Sequence, residues 1–205
     1  DDNGSSAGPF SPDVSGVGLM RRVDCADTNS ASDFIEATSE TPGAPNASSS
    51  CISSVGVVIN EFLANPSGSD SDPAGREWVE LLNTTSEDID ISGWMLKGGT
   101  QSPSTFGSFE VGSIIPANGY FVVGGELSDL ELGMAADAIF DISLGNATSN
   151  ADGLQLVDCE NNIIDVVIYG TVNEDDWTDE EGALVGSFAP KPGDGISIGR
   201  VPNGE

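Results

Sequence analysis

Histidine is absent from this chain of 205 residues. Its absence excludes His-based catalytic triads, His-ligated zinc and imidazole acid–base chemistry. Basic residues are almost as scarce. Lys97, Lys191, Arg21, Arg22, Arg76 and Arg200 are all the cations present, against 34 acidic residues, for a net charge of −28. A chain this acidic has no clustered Lys and Arg with which to grip phosphates, so nucleic acid is excluded as a partner. No apolar run approaches the roughly 20 residues of a membrane helix, so membrane insertion is not expected. The opening Asp1-Asp2-Asn3-Gly4-Ser5-Ser6 does not read as a secretory leader. No P-loop, dinucleotide fingerprint or G-x-S-x-G elbow occurs, and no His is present to activate a serine. Acidic residues are so abundant that carboxylate pairs arise without selection for glycoside hydrolysis. No enzymatic activity is expected.

Charge alone would suggest disorder. The apolar content argues otherwise: Leu, Ile, Val and Phe make up about 24% of the chain, above the roughly 20% floor of disordered sequences. The periodicity is that of strands. Helical spacing is confined to the weak stretch Leu127–Met134. Strand-like runs cover Val55–Leu63, Glu77–Leu82, Ile89–Leu96, Phe106–Ile115, Gly119–Gly124, Ile139–Leu144, Gly153–Val157, Ile163–Tyr169 and Gly195–Val201. Turn-forming residues separate them, as in an antiparallel sandwich. Leu154–Val167 reads as a hairpin around Asp158–Asn162. Its second run is apolar on both faces, which predicts a central strand. Asp165 is the anomaly there, expected at a sheet end with its carboxylate on a backbone N–H. Trp78 and Trp94 lie within strand runs and are expected in the core. Trp177 lies in an acidic loop and is a candidate interface anchor.

An element recurs at both ends of the chain. Gly8-Pro9-Phe10-Ser11-Pro12 followed by Gly16-Val17-Gly18-Leu19-Met20-Arg21 parallels Gly186-Ser187-Phe188-Ala189-Pro190 followed by Gly195-Ile196-Ser197-Ile198-Gly199-Arg200. The spacings agree to within one residue.

The strand motifs, in order, resemble those of lamin-tail domains. They are Ile59-Asn60-Glu61-Phe62, Glu77-Trp78-Val79-Glu80-Leu81, Ile91-Ser92-Gly93-Trp94 with Leu96, and Pro116 with Gly119-Tyr120-Phe121-Val122. Gly145-Asn146, Asp152-Gly153 with Gln155-Leu156, and Asp165-Val166-Val167-Ile168-Tyr169-Gly170 complete the set. The resemblance implies an all-β, immunoglobulin-like antiparallel β-sandwich. The family occurs in nuclear lamins and in secreted and surface proteins of bacteria and archaea. Bacterial members end with a closing strand, an Arg, a D-T-N-like turn, a D-F pair and a P-G-x-x-N tail. Here those features stand near the beginning: Arg22, Asp27-Thr28-Asn29, Asp33-Phe34 and Pro42-Gly43-Ala44-Pro45-Asn46. Residues 1–50 thus resemble the end of a preceding unit, and residues 51–205 most of a second.

That register implies a structural, extracellular or cell-surface role. The chain is expected to be a subunit or repeat of a head-to-tail filament or array, its partner another copy or a neighbouring repeat. The N-terminal arm, through Phe10, Val17, Leu19 and Phe34, would join units by strand addition; the alternative is that the arm folds back on its own sandwich. A different function class, a Ca²⁺-stabilised spacer or binding module of a larger secreted enzyme or adhesin, needs no such docking. No cofactor is required, with Ca²⁺ the one candidate. Asp70, Asp72 and Glu77 flank a Gly/Ser/Pro-rich loop, where hard carboxylate oxygens suit that ion. Asp24, Asp27, Asn29 and Asp33, and the acidic run Glu174–Glu181, are solvated faces on the simpler reading. The three cysteines permit one internal disulfide. A Cys25–Cys51 bridge would staple the arm, and Cys159 is the other available partner. Sequons at Asn46, Asn83 and Asn146 are candidate glycosylation sites.

Overall fold

The computed structural model describes strand segments 19–21 and 34–36, and residues 56–68, 75–99, 103–147, 150–171, 173 and 176–204. The elements are β1 (Leu19–Arg21), β2 (Phe34–Glu36), β3 (Val57–Leu63), β4 (Trp78–Asn83), β5 (Ile89–Asp90), β6 (Met95–Gly99), β7 (Ser104–Ser108), β8 (Ile114–Ile115), β9 (Tyr120–Gly124), α1 (Asp129–Leu132), β10 (Ala138–Ile139), β11 (Asp152–Val157), β12 (Ile163–Tyr169) and β13 (Ile198–Gly199). One sheet has the order β10-β9-β4-β3-β13 and the other β12-β11-β6-β7; β5 pairs with β8 separately. Among these strands every pairing is antiparallel except β10 with β9. This is the expected immunoglobulin-like sandwich.

Alternation of side chains builds the core between the sheets. Val79 and Leu81 of β4 point inward with Leu96 of β6 and Leu154 and Leu156 of β11. Phe62 meets Tyr169 across the two layers, ring centroids 4.9 Å apart. β3 changes parity midway. Val57 and Ile59 are core residues, and so are Phe62 and Ala64. The pairing register slips between Ile59 and Glu61, leaving Asn60 as the extra residue of a bulge.

Several expected elements are corrected. The run Ile89–Leu96 is broken by a turn at Ile91–Trp94, where Gly93 adopts φ 77°. Phe106–Ile115 likewise divides at Gly112, φ 89°. Both positive angles suit glycine alone. The weak helical stretch forms one turn, α1, ending at Gly133. β12 is the edge of its sheet, with β11 its one strand partner among the described elements, rather than a central strand. The irregular segment 185–190 runs beside it, and Ala189 there bridges to Tyr169. Trp94 is fully buried as expected, but Trp78 faces away from the core and is half-buried, because the inward positions of β4 fall to Val79 and Leu81. Among the described residues, β1 and β2 pair with each other and join neither sheet of the sandwich.

Candidate functional site

The two sheets are fastened along one seam, between β3 and β12. β13 covers only Glu61 and Phe62 of β3, so the outward backbone groups of Ile59 have no strand partner. Side chains supply the missing partners. The Ile59 N–H donates to Asp165 Oδ2 at 2.7 Å, and Arg200 Nε donates to the Ile59 carbonyl at 2.8 Å. Arg200 Nη2 donates to both Asp165 oxygens at 2.9 Å, and the Arg200 N–H bonds the Asn60 carbonyl at 2.8 Å. Asp165 belongs to one sheet and Ile59 to the other, so one ion pair clasps both. Asp165 does bond a backbone N–H, as expected, but from the middle of an edge strand rather than a sheet end. Burial pushes its carboxyl above the ordinary value, against the opposing pull of the Arg200 charge and the Ile59 N–H.

The chain then wraps outward. Ser197 Oγ donates to Glu61 Oε1, and the Gly204 N–H bonds Asn60 Oδ1 at 3.1 Å. The Asn60 amide also bonds Glu80 at 2.8 Å, so the bulge residue ties the tail to β4. At the opposite end of the seam, the Ala189 N–H bonds the Ile168 carbonyl at 2.8 Å. A groove of about 320 Å³ remains between β12 and this closing segment, lined chiefly by Ile59, Phe62, Val166, Ile168, Phe188 and Ile198. Phe188 and Ile196 stay 50% and 63% exposed. The C-terminal copy of the repeat thus has three structural effects: it lays Ala189 along β12, adds β13 to β3 and sets Arg200 in the clasp.

Of the expected assembly residues, Phe10 and Val17 lie outside the described residues. Leu19 and Phe34 fall in β1 and β2, opposite Glu36 and Arg21 respectively. Of the candidate calcium ligands, Asp70 and Asp72 lie outside the described residues. Glu77 is buried, and its Oε1 accepts the Leu144 N–H at 2.9 Å. Asn83 is fully buried, its amide donating to the carbonyls of Glu87, Ile115 and Pro116. A glycan therefore has no access to Asn83 in the folded chain, whatever its sequon. Asn146 is half-buried, and Asn46 lies outside the described residues. Cys159 is buried and disulfide-bonded. With three cysteines in the chain, a bond from Cys159 to either of the others leaves no Cys25–Cys51 pair in that molecule; Cys25 and Cys51 lie outside the described residues. Trp177 is no surface anchor: its indole is buried on β11, so close that a Cβ at Gly153 would come within 2.6 Å of it.

Sequence reasoning noticed Arg200 as part of a repeat and Asp165 as an oddity without joining them. The signal was available: a lone acid in an apolar strand needs a counter-charge, and the chain has few cations to supply one. A family model described as Lamin Tail Domain matches residues 52–171, from just before β3 to the residue after Gly170. No curated protein matches the chain.

Proposed function

The chain belongs to the lamin tail domain family, and from that premise we propose that it is a non-catalytic structural module of an extracellular or cell-surface assembly. Its N-terminal arm joins it head to tail to a second lamin-tail sandwich. The observation that supports this is the behaviour of the repeat. Its C-terminal copy closes the β3–β12 seam of this sandwich. The N-terminal copy has the same order of residues, and among the described residues its strand β1 pairs with β2 and joins neither sandwich sheet. Paired to β2 along one edge, β1 has a second edge that strand addition to another sandwich would engage.

The test is the assembly state of the full chain, read by light scattering and negative-stain microscopy. Head-to-tail oligomers are expected, lost in Leu19→Asp and Phe34→Asp while the sandwich stays folded. Folded monomers from the parent chain and both variants would refute the proposal. They would favour the spacer or binding-module reading, in which the sandwich acts alone.

A further inference from the structure

We infer that the acceptor of the N-terminal closing strand is the β3–β12 seam of a second copy of this chain, entered by strand exchange, with Leu19-Met20-Arg21 taking the register of Ile198-Gly199-Arg200. The inference deepens the head-to-tail reading and rests on it.

The register comes from the repeat. Leu19 and Arg21 stand at the same offsets from Gly16 as Ile198 and Arg200 do from Gly195. In the resident copy, Ile198 lies opposite Phe62 and Gly199 opposite Glu61. In the exchanged copy Leu19 therefore lies opposite Phe62, Met20 opposite Glu61, and Arg21 reaches Asp165 and the Ile59 carbonyl. Both β1 and β13 are short strands, and β1 brings β2 behind it as a second pairing layer. An incoming β1–β2 ribbon thus places on β3 what β13 places there, with one strand more.

The seam is built to be exchanged. Its resident strand spans only Ile198–Gly199, and the flanking apolar residues Phe188 and Ile196 remain largely in water. The groove of about 320 Å³ beside them is unfilled by the closing segment. By the register above, the incoming strand offers β3 the same backbone pairing and Asp165 the same guanidinium, so exchange conserves the clasp. Electrostatics sets the selectivity. Two copies that each carry −28 repel, so contact requires a cation delivered to a specific acid. Arg21 is the cation in register and Asp165 the acid.

A benzophenone photo-cross-linker in place of Leu19, in the otherwise intact chain, tests this directly. Irradiation followed by peptide mapping is expected to join position 19 to β3 around Phe62, or to β12 around Val166, of a different molecule. Arg21→Ala in the same chain should lower that intermolecular yield by about tenfold, the equivalent of one charge-assisted hydrogen bond. Ile198→Asp, which loosens the resident strand, should raise it. Oligomers with cross-links mapping elsewhere would overturn the exchange and leave the head-to-tail reading standing. Cross-links confined to the same molecule would overturn the exchange as well. Absence of both oligomers and intermolecular cross-links would overturn the two together.

Discussion

Replacing Arg200 with Ala removes three things at once: the ion pair with Asp165, the Nε bond to the Ile59 carbonyl, and the side chain that spans the seam. Asp165 keeps its Ile59 N–H bond but loses its counter-charge. Breaking a fully buried pair costs about 3–5 kcal/mol because an unpaired charge is stranded. Here the side chains are 27% and 14% exposed, so water screens part of the interaction and the cost falls below that range. About 2–3 kcal/mol of stability should be lost at pH 7. At roughly 2–4 °C per kcal/mol for a chain of this size, the midpoint should fall by about 5–10 °C. Urea and thermal unfolding, followed by tryptophan fluorescence and circular dichroism, measure it.

The pH dependence makes the prediction sharper. The folded-state value of Asp165 lies above its ordinary 3.8, so protonation favours the fold. The stability it contributes is complete below the ordinary value and is lost as pH rises through the folded one. Arg200 is what limits that loss. Without it the carboxyl rises further, and the deficit of Arg200→Ala relative to the parent should shrink as pH falls from 7 toward about 4.5. The general relief of acidic repulsion acts on both proteins and cancels in the difference. A deficit below about 0.5 kcal/mol at pH 7, or one that stays constant or grows on acidification, would refute the clasp as described.

Three further outcomes are expected. Asn83→Ala should cost about 2–4 kcal/mol, because three backbone carbonyls lose their common donor; material from a secretory host should yield an unmodified Asn83 peptide by mass spectrometry. Tyr169→Phe should cost about 1 kcal/mol for the lost bond to the Gly145 carbonyl. Burial, with Asp152 and Glu77 adding to it, also holds the Tyr169 phenol far above its ordinary 10.0. The parent should therefore lose stability above about pH 10, where the unfolded chain ionises and the folded one does not, and titration in denaturant should show that loss blunted in Tyr169→Phe. Gly153→Ala drives a methyl into the Trp177 indole, and about 1–3 kcal/mol should be lost, with red-shifted emission as the indole moves toward water.

The strands with β-branched runs bounded by Gly and Pro were legible because local preference and tertiary pairing agree there. β3, β4, β9, β11 and β12 fall within a residue or two of their sequence patterns. What escaped was tertiary. The bulge at Asn60 carries no Gly to announce it, yet it switches which residues of β3 face the core. β12 reads as central because an edge strand flanked by an irregular segment has the same two apolar faces as a strand between neighbours. The Asn83 sequon is indistinguishable in sequence from a surface one. Only the fold shows its amide turned inward to satisfy three carbonyls. Asp165 was recognisable as an anomaly, but its partner lies 35 residues away, and sequence separation carries no distance.

The clasp also explains why the closing segment matters more than its small buried area suggests. β3 and β12 each expose an edge to the seam, and edges that stay open invite whichever strand arrives. A closing strand of two residues cannot hold by apolar burial alone, at about 25 cal/mol per Å². Its hold comes from the backbone bonds at Asn60 and Ile168 and from one arginine placed between two sheets. Such a closure is specific without being strong. It discriminates by register and charge. On the strand-exchange proposal, a seam closed this way would also admit a second copy of the same strand, and the repeat at the two ends of the chain would supply it.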